Sequence, residues 1–258
     1  MHMLNIAVNL RAVSAIAAAA GAMGVWKNRF WMRNAKCRYE PIASFSKGEI
    51  VGAELLCRST PWPRNHREWR RWYALIVDEM LETDNHGWMA INLDGAQATD
   101  RKIMKIIEKL DNRHVIEWTE RHDEAETATV AAALRALRDK TGAAIAIDDA
   151  GAGIDAMQRI LLVQPQYVKI DGKIIQDACR KQCAISRAAI LSILSLSRAA
   201  GAKTIAEWIE TPEDWDACRE MGLDYGQGYL ITGAENRQRH WLSKARVKTT
   251  GRQQHGQP

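Results

Sequence analysis

The chain has 258 residues, 47% hydrophobic and 26% charged, with a net charge of +5, which fits one large soluble domain with a full core. Its five cysteines (Cys37, Cys57, Cys179, Cys183, Cys218) are odd in number and lack CxxC spacing. That argues against a disulfide framework or a zinc site, and for reduced thiols in a cytoplasm. Six basic and no acidic residues precede Tyr39, six more basic and no acidic ones follow Glu235, and the middle holds 24 basic against 31 acidic. An acidic body with basic ends suits a cation-binding core, and no specific DNA binding is expected. The ends read as solvated tails, with contact to phosphate or anionic lipid as the alternative.

In chain order, residues 1–36 carry an alanine-rich stretch from Ala12 to Trp26. It falls short of the roughly 20 residues needed to span a bilayer, so a packed or loosely ordered helix is expected, with membrane attachment as the alternative. A barrel is expected over 37–243, and a basic disordered tail over 244–258. Gly48 to Arg58 reads as an apolar strand holding Glu54, with Arg58 four residues on. A helix follows over Glu68–Thr83. Next come Ala90-Ile91-Asn92-Leu93-Asp94, a helical stripe from Ile103 to Leu110, and Val115-Ile116-Glu117-Trp118-Thr119-Glu120. A helix over Ala125–Lys140 leads to Ile145-Ala146-Ile147-Asp148-Asp149 and then Tyr167-Val168-Lys169-Ile170-Asp171. One long helical run is expected from Ile174 to Ala200, with Ile185, Ala189, Ile193, Leu196 and Ala200 on one face. Thr204-Ile205-Ala206-Glu207-Trp208-Ile209-Glu210 precedes a helix over Pro212–Met221, opened by a threonine and a proline where a helix start favours them.

A buried strand has no use for a terminal carboxylate unless something compensates its charge. Five such ends in one chain point to a shared charged focus, and hard divalent cations are the usual compensation for clustered oxygen ligands. Strands alternating with helices imply parallel pairing through right-handed crossovers, and at least six such units favour a closed (β/α)8 barrel of the TIM type. An open doubly wound sheet is the alternative, but it would normally carry a glycine-rich phosphate loop after its first strand, and none is visible. In a barrel the C-terminal strand ends share one mouth, so Asn92, Glu117, Asp148, Asp149, Lys169 and Glu207 are expected to converge.

This ordered set, together with Glu54-Leu55-Leu56 and Gln227-Gly228-Tyr229, resembles the EAL domain family from about Tyr39 to Ile231. Members are cyclic di-GMP phosphodiesterases on a modified (β/α)8 barrel. The resemblance implies two divalent ions, magnesium or manganese. Glu54, Asn92, Glu117 and Asp148 would hold the first, and Asp148 would bridge to a second held with Asp149 and Glu207. Lys169 matches the lysine that orients the attacking water, so Lys169, Glu207 and Glu54 would carry catalysis. Leu56 and Arg58 match ligand contacts, and Gln227 a glutamine at the ligand mouth. Glu120 and Glu210 match acids that steady the neighbouring loop and the metal cage.

Four departures stand out. The family's Asp-Asp-Phe-Gly-Thr-Gly loop is Asp148-Asp149-Ala150-Gly151-Ala152-Gly153. Trp208 replaces a usual glycine, and either crowds the pocket, stacks on a guanine, or fills the void at Ala150. Glu40 places a negative charge where glutamine is typical. The stretch from Glu54 to Asn92 is trimmed in a region where the family usually has a helix near the substrate groove. The expected function is hydrolysis of cyclic di-GMP to linear pGpG. The main alternative is an inactive receptor or protein-binding regulator, and a third is action on another phosphoester. A homodimer is plausible. The flanks leave no room for a further signalling module, so a stand-alone domain is expected.

Overall fold

The computed structural model describes residues 36–58, 62–83, 87–119, 126–153 and 155–233. The alanine-rich segment, Glu120, the side chain of Arg58 and the basic tail lie outside the described residues. Eight strands close into a barrel in sequence order: β1 (Lys36–Ser44), β2 (Ile50–Arg58), β3 (Trp88–Leu93), β4 (His114–Trp118), β5 (Ala144–Ala150), β6 (Tyr167–Ile170), β7 (Lys203–Ala206) and β8 (Tyr225–Gln227). From β2 to β8 every pairing is parallel, but β1 runs antiparallel to both neighbours. Parallel pairing, expected for strands that alternate with helices, holds from β2 onward, and β1 is the modification of the barrel. Only residues 45–49 separate β1 from β2, whereas a parallel crossover takes about a dozen or more. Gly48, at φ +65°, returns its N–H to Ser44 O at 2.8 Å and closes the hairpin.

The helices are α1 (His66–Glu82), α2 (Gly95–Thr99), α3 (Arg101–Ile107), α4 (Thr127–Thr141), α5 (Ala156–Val163), α6 (Gly172–Arg180), α7 (Ala184–Ala199) and α8 (Pro212–Met221). Local chemistry sets their starts: Asn65 accepts from Glu68 N, and Thr211 with Asp214 forms a capping box around Pro212. The run expected as one helix from 174 to 200 is two. Gln182 takes φ +53° and Cys183 stands at the N-cap of α7, so the periodicity continued across a break. The face expected of α7 packs in part: Ile193, Leu196 and Ala200 lie against the core with Ile190, Leu194 and Ser197 buried beside them, whereas Ile185 is 82% exposed. Serine is tolerated inside because its hydroxyl donates back to Ile193 O at 2.8 Å.

The main core lies between the sheet and α1, α3, α4 and α5, and includes Ile76, Met80, Ile103, Leu134 and Ile145. A second core under α6, α7 and α8 joins Ile170, Ile190 and Trp215, with Phe45 edge-on to Trp215 at 4.6 Å. Inside the barrel the two-residue period of a strand produces layers. Trp88, Tyr167 and Tyr225 stack at 4.8 and 6.3 Å. Gly52 leaves room for the Trp88 ring, since a Cβ there would lie 2.4 Å from it. Tyr167 and Tyr225 stand two residues before Lys169 and Gln227, and Gly52 two before Glu54, so the filled layer forms the floor beneath the polar one.

Gly228, at φ +149°, follows β8, and an added Cβ would lie 2.5 Å from the backbone N and O of Ile209. Gly228→Ala should therefore destabilise the protein by about 3 kcal/mol or more, seen as a lower urea midpoint. An unchanged midpoint would contradict this packing.

Candidate active site

The polar layer meets at one atom. Lys169 Nζ, on a side chain 2% exposed, lies 3.1 Å from Glu54 Oε2, 2.9 Å from Glu117 Oε2, 2.9 Å from Asp148 Oδ1 and 2.8 Å from Glu207 Oε1. Asn92 donates its Nδ2 to Glu54 Oε1 at 2.6 Å, and Gln227 donates its Nε2 to Glu54 Oε2 at 2.7 Å. Seven residues on β2 to β8 or directly after β7 thus form one network. Six of them were expected to converge or to ligate together, and Gln227, expected only near the mouth, proves to be a direct partner of Glu54.

One ammonium faces four carboxylates, and the titration behaviour follows from that imbalance. Burial, with Glu54 beside it, pushes the Glu117 carboxyl well above its ordinary value. Burial and Asp148 push Glu207 up to about 8, against the pull of Lys169. Burial and Asp148 also raise Asp149. Burial alone would raise Glu54, but Lys169, Gln227 and Asn92 outweigh it and hold that carboxyl low. Burial likewise opposes the Lys169 ammonium, yet Asp148, Glu117, Glu207 and Glu54 keep its pKa well above the usual lysine range.

Asp148 and Asp149 are adjacent, and in a regular strand they would face opposite sides. The register of β5 against β6 slips between Ile147 and Ala150, and Asp149 takes φ +54°. This bulge brings both carboxylates to the cleft. Asp148, Asp149 and Glu207 each offer an oxygen, all within 4.8 Å of one another. Trp208, directly after Glu207, is also left-handed, at φ +55°. That conformation gives a physical reason for the glycine expected there.

Arg159 on α5 supplies support that the sequence did not announce. Its Nη1 donates to Trp118 O at 3.0 Å, its Nη2 to Asp148 O at 3.2 Å, and its guanidinium lies 5.6 Å from the Trp118 ring centroid. It therefore ties the ends of β4 and β5 together under the acid cluster. In sequence it is one arginine on an amphipathic helix, without a distinguishing signal.

The cluster opens into a cleft of about 770 Å³, lined also by Leu56, Glu40, Trp62, Trp69, Trp208 and Tyr229 among others. Glu40 pairs in register with Glu54 across β1 and β2, and Arg38 Nη2 lies 3.4 Å from its Oε2. Glu210 sits on the rim paired with Arg180 at 2.9 Å. The shortened stretch between Glu54 and Asn92 holds the helix expected over Glu68–Thr83: α1 places Trp69, Trp72, Tyr73 and Ile76 on the cleft wall. Tyr73 donates to Asn92 O at 2.9 Å and contacts Gln97 Oε1.

The donor set fits hard divalent cations. It consists of oxygens, it carries excess negative charge, and buried Glu117 Oε1 has no hydrogen-bond partner. Asn92 turns its amide nitrogen toward Glu54, so as a ligand it would present Oδ1 instead.

Fold and site together define a TIM-type barrel with one reversed strand and a cation-suited carboxylate mouth. The EAL domain model matches residues 67–234, and the chain belongs to the EAL domain family. Glu54-Leu55-Leu56 precedes the matched span and enters the site through β2. The chain is 26% identical over 226 residues to the probable cyclic di-GMP phosphodiesterase PdeB of Escherichia coli strain K12, covering 76% of this chain and 42% of that protein. It therefore spans about two fifths of that relative's length. Among solved structures it resembles the PaMucR phosphodiesterase in complex with c-di-GMP (TM-score 0.68, 20% identity, 77% of this chain and 96% of that one). It also resembles the Bacillus subtilis YkuI protein in complex with c-di-GMP and calcium (TM-score 0.65, 20% identity, 84% and 63%). At such identities the likeness shows the fold.

A pH dependence follows from the raised carboxyls. Between about pH 4.5, where an unfolded glutamate ionises, and about pH 8, the folded chain keeps a proton on Glu207 that the unfolded chain releases, and Glu117 is shifted in the same direction. Stability of the metal-free protein should therefore fall as pH rises through this window. Saturating magnesium or manganese, which competes with those protons, should flatten the decline. Melting temperatures measured with and without chelator across the window test this, and a metal-free melting temperature that rises with pH would refute it.

Proposed function

We propose that this chain is a divalent-cation-dependent phosphodiesterase that hydrolyses cyclic di-GMP to linear pGpG. The carrying observation is Lys169 Nζ held by four carboxylates at 2.8–3.1 Å beneath an open cleft. The c-di-GMP complexes of PaMucR and YkuI support the choice of ligand. Glu54, Asn92, Glu117 and Asp148 would hold one ion, and Asp148, Asp149 and Glu207 a second. Bound there, magnesium or manganese would acidify a water and offset charge on the phosphoryl oxygens.

The chain's own groups supply positioning. Lys169 stays an ammonium across the physiological range, so it serves as a fixed donor that orients water or a phosphoryl oxygen and not as a base. Glu207, as a ligand of the second ion, would help place the attacking water. Asn92 and Gln227 fix the rotamer of Glu54 from both sides. Leu56 and Gln227 would contact the ligand, and Arg58 would take a phosphate oxygen through its planar donors. Glu210, through Arg180, and Glu120 would steady the surrounding loops.

A second reading, a cyclic di-GMP receptor without turnover, draws on Glu40, a carboxylate on the cleft wall opposite β2. Incubation with cyclic di-GMP and manganese, with pGpG measured by chromatography, separates the two. Turnover is expected, and Glu54→Gln or Lys169→Met should lower it about a hundredfold or more. Binding without product would establish the receptor, and full activity in both variants would remove the site assignment.

A further inference from the structure

Eight large apolar side chains are exposed among the described residues, and three are aromatic: Trp62, Trp208 and Tyr229. All three line the cleft that holds the acid cluster. Large rings are usually covered, and a set of them gathered at one cleft calls for a ligand. Trp62 enters from the β2–α1 connection. Its ring stands 6.1 Å from Trp69 and 5.9 Å from the buried Trp72, so it is braced from behind while 46% of the residue stays open. Trp208 enters from the β7 end, beside Glu207. Its indole is seated on Gly172, where an added Cβ would come within 2.1–2.7 Å of Trp208 atoms, and 51% of the residue stays open. Tyr229 lies two residues after Gln227 and is 66% exposed.

The cleft thus has a braced, half-open indole from each of two separate connections, and an acidic, cation-suited floor. We propose that Trp62 and Trp208 are stacking platforms for the two purine bases of a dinucleotide whose phosphodiester lies over the acid cluster, which rests on the phosphodiesterase reading for the identity of that ligand. The cleft volume of about 770 Å³ falls in the range that takes such molecules. Indoles present the larger stacking face that suits a bicyclic purine, and stacking on either ring is worth roughly tenfold or more in affinity. Tyr229 lies on the rim and is not needed for the assignment.

The test uses the full chain and cyclic di-GMP, with calcium in place of magnesium, read by tryptophan fluorescence and calorimetry. Trp62→Ala and Trp208→Gly should each raise the dissociation constant about tenfold or more, and Trp62→Phe should recover most of the loss. Trp208→Gly should leave the melting temperature within a few degrees of the parent, because glycine accepts the φ of +55°. Cyclic di-UMP should bind at least tenfold more weakly than cyclic di-GMP and respond little to either change. If binding shows this dependence and pGpG never forms in the manganese assay, the platforms stand and the phosphodiesterase reading fails. If pGpG forms while both variants bind within twofold of the parent, the platforms are overturned and that reading stands. A parent chain that binds neither cyclic di-GMP nor GMP also overturns the platforms.

Discussion

The interior of this barrel tolerates its carboxylates because Lys169 stands among them. Glu54 and Glu117 are 4% and 0% exposed, and burying an unpaired charge there would cost several kcal/mol. One ammonium at 2.8–3.1 Å from Glu54, Glu117, Asp148 and Glu207 joins β2, β4, β5, β6 and the end of β7 at one point. Glu54 is satisfied further by Asn92 and Gln227 from β3 and β8. The strands therefore agree on register for an electrostatic reason as well as a packing one. The layer below, with Trp88, Tyr167 and Tyr225, fills the barrel beneath the cluster.

A single positive charge does not balance the cluster, and the remainder defines its chemistry. Burial and the neighbouring carboxylates raise the proton affinity of Glu117 and Glu207, the latter to about 8. A site that retains protons in this way also favours divalent cations, since both occupy the same oxygens. Lys169 reaches Glu54, Glu117, Asp148 and Glu207, and of these Asp148 and Glu207 also gather with Asp149, their oxygens within 4.8 Å of one another. The bulge at Asp149 produces that second group, because regular pleating would send one of the two aspartates away.

Much of this was legible in the chain because the interior residues recur with a strand's period. Asn92, Glu117, Lys169 and Glu207 interrupt apolar segments that could only be buried strands, and parallel strands between helices left few architectures. The reversal of β1 escaped the alternating pattern, although the five-residue link to β2 admits nothing but a hairpin. The break between α6 and α7 escaped because apolar residues continue on both sides of Gln182. The bulge could not be read from sequence, since two consecutive aspartates look the same in a regular strand. Arg159 was invisible for a related reason. Its role lies in donating to two backbone carbonyls, and carbonyls carry no sequence signature.

Trp208 shows how strain, packing and exposure divide at the edge of the site. The left-handed turn after Glu207 costs a non-glycine residue about 1–2 kcal/mol, while covering roughly half of an indole of about 200 Å² returns about 2 kcal/mol. These terms nearly cancel, so the seat on Gly172 explains how the tryptophan is tolerated without explaining why it is there. The buried half rests on Gly172. The open half contributes nothing to that turn and faces the cleft, where a planar ligand would cover it. Trp62 poses the same question from the other connection, since Trp72 and Trp69 brace its ring without covering it. Two indoles held in position and left uncovered beside one charged floor are more economically explained by a shared ligand than by two separate accidents of packing.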